Sequence, residues 1–191
     1  MIIVKGVRRV GNNFIGATLN LNSDCNKTSG GVNGTHRLLT NTDFGKPIVV
    51  IIKNPYSWFK SIRWWTKESW SWSDTRWEKE WPILFERFNN FYAFHKNLCG
   101  SENNMHVVRY EDLLREPDLE FNTLIQNLGF NKTTEKIVLP KKVNDSESFT
   151  DKKRRHYLAG GAFGLENSQI KIINKNLDWS VMSFYGYEVY E

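Results

Sequence analysis

Apolar residues along this chain alternate between short blocks and long stripes. Residues 2–4, 47–52 ("PIVVII") and 106–109 ("HVVR") form short blocks, β-branched and apolar at successive positions. Strands covered on both faces read this way, as in a parallel sheet flanked by helices. Between and after the blocks, apolar residues recur at helical spacing. The spacing predicts helices over residues 12–21, 55–65, 75–98, 119–128, 168–177 and 179–185. The helix over 75–98 carries Trp77, Trp81, Leu84, Phe85, Phe88, Phe91, Tyr92 and Leu98 along one side. Gly129 stands where a helix C-cap glycine belongs. Strand–helix alternation argues for an α/β fold of three layers, with a central, mainly parallel sheet between helices.

Composition narrows the picture modestly. A length of 191 residues suits one domain, 1–191, and no internal repeat divides it. The looser stretches, 22–33 and 141–150, are too short to be linkers between domains. The net charge of +5 makes an anionic ligand plausible without selecting one. Two cysteines and four scattered histidines form no disulfide framework and no metal-ligand spacing, so no metal is expected. No window is apolar enough to span a membrane, and the first residues lack a signal-peptide layout, so a cytoplasmic protein is expected. On that expectation the Asn-x-Ser/Thr triplets at Asn26, Asn33, Asn131 and Asn144 are chance features of an Asn-rich chain.

Three segments carry candidate chemistry, each where a strand hands over to a helix. In "VKGVRRVGNNF", Gly6 and Gly11 flank a turn that opens a helix at Asn12 and Asn13. A glycine turn at a helix N-terminus gathers unpaired N–H groups and the positive end of the helix dipole, and Arg8 and Arg9 add charge. The Gly-Lys-Ser/Thr ending that grips a nucleoside triphosphate and its Mg²⁺ is missing. In "IIKNPYSWFKS", Lys53 ends a strand, Asn54 is an N-cap candidate and Pro55 occupies a favoured first helical position. Ligands of open α/β sheets sit beyond the carboxyl ends of the strands, which puts Lys53 on the same edge as the glycine turn. In "VVRYEDLLREP", Tyr110 closes a strand before a short helix, and Glu111 and Asp112 suit the dipole of that helix.

These segments, in this order, resemble the cytosolic-type and bacterial sulfotransferases. Those enzymes move a sulfuryl group from 3′-phosphoadenosine 5′-phosphosulfate (PAPS) to an acceptor hydroxyl and release 3′,5′-adenosine bisphosphate. Arg9-Val10-Gly11-Asn12-Asn13-Phe14 falls in the frame of the family's phosphosulfate loop, although Val10 replaces its serine. Lys53 and Ser61, eight apart, match the basic residue and serine that hold the 3′-phosphate, with lysine in place of the commoner arginine. The resemblance implies that Phe14 and Tyr110 flank the adenine. It also implies a catalytic histidine upstream of the second segment, and Thr35-His36-Arg37-Leu38 places His36 there. Near its unperturbed pKa an imidazole takes a proton from a hydroxyl at neutral pH. No Arg-Lys-Gly loop follows; the basic run Lys152 to Arg155 is the nearest substitute, with Arg154 and Arg155 as candidates or else a solvated helix start.

Seven of the eight tryptophans lie between Trp58 and Trp81. Trp77 and Trp81 suit helix packing. Trp64, Trp65, Trp70 and Trp72 could instead line a cleft for a small-molecule or carbohydrate acceptor. The expectation is therefore a metal-independent, PAPS-dependent sulfotransferase that uses no nucleic acid and no membrane. Two other classes stay open: a P-loop nucleotide kinase, and a non-catalytic module that binds anionic glycans or nucleic acid.

Overall fold

A computed structural model describes residues 2–25, 36–40, 43, 45–99, 104–144, 147–148, 150–159 and 161–191. The three apolar blocks form strands β1 (Ile3–Lys5), β2 (Ile48–Ile52) and β3 (Met105–Arg109), paired in parallel in the order β1-β2-β3. In register, Lys5 faces Val50 and Ile52 faces Arg109. Every residue of β2 is buried, so both of its faces are covered, as the uninterrupted apolar run requires. The molecule is an α/β protein built on a small open sheet.

Helix α1 (Asn12–Asn22) follows β1, and α2 (Pro55–Trp70) and α3 (Asp74–Leu98) follow β2. After β3 come α4 (Tyr110–Arg115) and α5 (Pro117–Asn127), a small antiparallel pair β4 (Lys142–Asn144) and β5 (Glu147–Ser148), then α6 (Asp151–Leu158), α7 (Asn167–Asn176) and α8 (Trp179–Phe184). Helix α5 closes on Gly129, at φ 72°, with Phe130 N–H on the Ile125 carbonyl and Gly129 N–H on the Gln126 carbonyl. That pair of bonds is the Schellman closure expected of a glycine there.

Some elements differ from expectation. Helix α2 runs five residues past Trp65, to Trp70, because Thr66–Ser69 contain no breaker; it stops at Ser71, which adopts a left-handed φ of 51°. The 141–150 stretch, expected to be loose, contains the β4–β5 pair, and the basic run lies within a full helix, α6. Of the 22–33 stretch, residues 26–33 lie outside the described residues, as do Gly34 and Thr35 before His36. Two of the Asn-x-Ser/Thr triplets, at Asn26 and Asn33, fall there, and the last two residues of that at Asn144, 145–146, also lie outside the described residues.

Two groups of helices cover the sheet. Phe14 of α1 packs edge-on against Tyr110 of α4 and Phe121 of α5. In the other group, Trp58 of α2 lies 4.3 Å from Phe88 of α3, and Phe88 lies 4.7 Å from Tyr92. Tyr92 Oη donates to the Ile51 carbonyl at 2.9 Å, and Tyr185 Oη donates to the Tyr92 carbonyl at 2.9 Å. These buried hydroxyls are thereby satisfied and tie α3 and α8 to the sheet. Helix α3 also tolerates Pro82, which sits on its solvent side, where water can take the carbonyl that a proline leaves unbonded. Phe88, fully buried against the Trp58 and Tyr92 rings, is the test of this core. Phe88→Ala should lower the unfolding free energy by about 3–5 kcal/mol in urea titration, whereas Leu119→Ala, on a side chain 58% exposed, should change little.

Candidate functional site

Parallel pairing brings the carboxyl ends of β1 and β2, and the residue after β3, to one edge. There the chain turns from Gly6 to Gly11 and enters α1. Gly11 is the N-cap, at φ 110°, so the cap position itself supplies no side chain. A Cβ on Gly11 would sit 2.5 Å from the Tyr110 ring, so this position requires glycine for both conformation and space. Arg9 adopts a left-handed φ of 70°, unusual for a side chain of its size. Its Nε is buried and has no hydrogen-bond partner among the described residues. Asn13 is exposed at the start of the helix, and Asn12 turns inward.

Asn12 closes the turn on itself. Its Nδ2 donates to the carbonyls of Gly6 at 3.0 Å and Val7 at 3.3 Å. His36 Nδ1 lies 2.8 Å from that same Gly6 carbonyl. A carbonyl only accepts, so Nδ1 carries the proton, and the 3.3 Å approach of Asn12 Nδ2 to Nδ1 is a contact between two donors. Nε2 is then the unprotonated nitrogen, without a partner among the described residues. Burial and the Arg8 charge hold the imidazole below its usual pKa of 6.5, against the raising effect of the Gly6 carbonyl. His36 is a neutral base at pH 7.

The segment after His36 is anchored by a buried ion pair. Lys5, the last residue of β1, lies 3.1 Å from Asp43, with both side chains at least nine-tenths buried. Asp43 also accepts from the Thr40 N–H at 3.0 Å and the Thr40 hydroxyl at 3.2 Å. Burial pushes the Asp43 pKa up, but the Thr40 and Lys5 bonds overcome it and the net shift is downward.

Lys53 follows β2 and is 1% exposed. Its Nζ has no hydrogen-bond acceptor among the described residues; instead it lies 4.0 Å over the Tyr157 ring and 5.3 Å from the Tyr110 centroid. Its pKa is pushed down to about 7: burial lowers it most, Glu111 opposes that, and Arg9 and Lys60 add to it. Among the described residues Glu111 is the carboxylate that acts on Lys53, and it is already engaged: it accepts from the Asn54 N–H at 2.9 Å and the Tyr187 hydroxyl at 2.8 Å. Asn54 caps α2 by accepting from Tyr56 and Ser57 N–H, and a Cβ on Gly161 would run into the Asn54 side chain, so the chain after α6 lies against this cap.

The remaining expected residues divide. Ser61 is half-buried on α2, one turn beyond Ser57, and nothing ties it to Lys53. Phe14 and Tyr110 come together, but at 1% and 5% exposure and in a T-shaped, edge-to-face pair. The Phe14 ring belongs to the core and has no open face for a base, because the inward side of α1 is also the side that seals α5. Arg154 donates from Nε to the Leu114 carbonyl at 2.7 Å and reaches the Arg115 carbonyl at 3.3 Å, capping α4 rather than reaching the site. Arg155 is exposed. The side chains of Lys152 and Lys153 lie outside the described residues.

The tryptophans enclose the loop arginines. The Arg8 guanidinium lies 5.4 Å from both the Trp65 and Trp70 centroids, and Arg9 lies 5.8 Å from that of Trp64. Trp65, Trp70, Trp72 and Trp77 run as a ladder with centroid steps of 4.1, 5.3 and 6.3 Å. Trp58 Nε1 donates to the Arg8 carbonyl at 3.0 Å. Three contributors escaped sequence reading: Tyr157, Glu111 as the brace of α2, and the Lys5–Asp43 pair. A charged residue ending an apolar strand was the one available signal, and it pointed to Lys5.

No family model, no curated protein and no solved structure matches the chain. Among the described residues no group of three or more His, Cys, Asp or Glu is placed to hold a metal ion, and no helix is long and apolar enough to cross a membrane.

An uncompensated buried lysine costs stability, which gives a direct test. Its penalty is fully present below the folded pKa of about 7 and vanishes above the unfolded value of 10.5. Lys53→Met should therefore raise the unfolding midpoint of the ligand-free protein at pH 7, and that advantage should shrink steadily as pH rises toward 10. Thermal unfolding across this range checks the sign; a destabilised Met variant would show that Lys53 is compensated in the empty protein.

Proposed function

We propose that the protein is a sulfotransferase, with the strands and helices arranged as a three-layer, P-loop-like domain. It would move a sulfuryl group from PAPS to an acceptor hydroxyl. One observation carries the reading: Arg9 Nε, buried without an acceptor among the described residues, and Lys53 Nζ, which rests against the Tyr157 and Tyr110 rings with no described acceptor, lie at one sheet edge beside the turn into α1. Buried donors without partners call for an explanation, and an anion spanning both positions supplies one. A diester-like phosphosulfate at the loop and a second phosphate at Lys53 have that two-centre layout.

In this reading Arg9 and the first amides of α1 hold the 5′-phosphosulfate and stabilise charge growing on the leaving phosphate oxygen. Lys53 holds the 3′-phosphate. His36 Nε2 takes the proton of the acceptor hydroxyl while the acceptor oxygen bonds to sulfur. The bond from sulfur to the bridging phosphate oxygen breaks, and adenosine bisphosphate leaves with that electron pair. The Nδ1–H bond to the Gly6 carbonyl fixes the ring so that Nε2 is the basic atom. Lys5 and Asp43 hold the segment that presents it.

Nucleotide kinase chemistry fits less well, because the turn ends in Asn12-Asn13 where a triphosphate loop has its lysine and Mg²⁺-binding hydroxyl. Calorimetry separates the classes. Adenosine 3′,5′-bisphosphate should bind without metal and more tightly than ATP–Mg²⁺. Preference for ATP–Mg²⁺ would indicate a kinase, and silence to both a binding module. Bisphosphate affinity should also fall as pH rises from 7 to 9, since Lys53 titrates at about 7 and only its charged form pairs with a phosphate.

His36→Ala should lower turnover by about 10²–10⁴-fold and leave bisphosphate affinity within a factor of a few. Because the imidazole pKa is held below 6.5, the acid limb of the wild-type kcat profile should have its midpoint below 6.5. Unchanged turnover in the alanine variant removes His36 from the mechanism.

A further inference from the structure

Lys60, Arg63, Trp64 and Lys67 fall at i, i+3, i+4 and i+7 of α2 and so share one stripe of the helix. The stripe does not face the core. It forms one wall of an open cleft of about 250 Å³, completed by Trp72 from the α2–α3 turn and by Gln169 of α7. Among the lining residues Asp74 is the sole carboxylate; it reaches Arg63 only at 3.9 Å, and its side chain is 80% exposed. Lys60 donates to the Phe163 carbonyl, while Lys67 has no partner among the described residues. Three cations thus face one weakly held anion.

The cleft also offers a flat apolar surface. Trp64 is 52% exposed, unlike the tryptophans of the core. Its ring also lies under Arg9, so a ligand seated on it adjoins the glycine turn. An apolar plane ringed by polar donors suits the C–H face of a sugar ring and its hydroxyls. A bare phenol would cover Gln169, Arg63 and Lys67 without pairing them, which is costly for desolvated polar groups. Single-stranded nucleic acid also favours aromatic rings beside cations, but it occupies grooves several nucleotides long. This cleft is smaller than the ~300–1,000 Å³ of pockets that enclose a drug-sized ligand, which suits one or two rings.

We propose that the cleft is the acceptor subsite and that the acceptor is an acidic saccharide. One ring stacks on Trp64, and its carboxylate or sulfate pairs with Arg63 and Lys67. The acceptor role rests on the sulfuryl-transfer reading; recognition of the acidic sugar does not.

The test titrates the full chain with a short oligogalacturonate, its carboxyl-reduced counterpart and oligothymidylate, by calorimetry, with and without adenosine bisphosphate. The acidic sugar should bind about 10-fold or more tightly than the reduced one, the scale of one to two charge-assisted contacts. Arg63→Gln with Lys67→Gln should abolish that difference, and Trp64→Ala should weaken both sugars. These side chains are on the surface, and matched unfolding midpoints establish that the variants fold. Equal binding of the two sugars, binding of neither, or tighter binding of oligothymidylate overturns the proposal. If the acidic sugar binds as expected but the bisphosphate does not, the acceptor role is overturned and the transfer reading fails with it, while the acidic-sugar site stands. With both bound, transfer of label from PAPS to the oligogalacturonate is the expected result.

Discussion

Parallel pairing of β2 with both neighbours governs what the sheet edge can do. Lys5 is level with Val50 and Ile52 with Arg109, so the chain leaves the sheet at Gly6, Lys53 and Tyr110 in close succession. The three motifs are remote in sequence and adjacent only through this register. A slip of one residue would turn Lys53 or Tyr110 to the opposite face, since side chains alternate along a strand. The burial of both faces of β2 makes such a slip costly, because it would have to break two ladders at once.

That edge concentrates positive charge without matching negative charge. Lys53 and Arg9 act on one another, and Glu111 is held by Asn54 and Tyr187. Such a site is a poor contributor to stability and a good receiver of anions, the exchange commonly made at functional sites. Tyr157 softens the cost by presenting its ring face to Lys53, a weaker partner than a carboxylate and one that an anion can outcompete. The neighbouring imidazole is handled differently: its carbonyl contact fixes a tautomer, and burial keeps it neutral.

The tryptophan-rich stretch serves two ends. Trp58 and Trp77 pack into the core, while Trp65 and Trp70, in contact with each other, both lie 5.4 Å from the Arg8 guanidinium, and Trp64 meets Arg9. Rings over guanidinium groups restrain long side chains without pairing off their charge. Arg9 in a left-handed conformation, bracketed by Val10 in the core and by Trp64, shows the same preference for shape over local relaxation.

The sequence by itself determined the three strands of the parallel sheet, most of the helices and the edge to which the motifs belong. Runs such as "PIVVII" can be satisfied only by cover on both faces, and Gly11, Asn54-Pro55 and Gly129 constrain the backbone locally, whatever surrounds them. Length and composition could not reach further. The extent of α2, the fold of residues 142–158 and the inward turn of Phe14 depend on partners far along the chain, which no local pattern encodes. Only the tertiary structure decided that Asp43 would anchor the His36 segment to Lys5 and that Arg154 would cap α4. It also decided that Tyr157, with no motif around it, would cover the buried lysine. Charge and hydrogen bonding at a site are set by what is brought within a few ångströms, and that distance is a property of the packed fold.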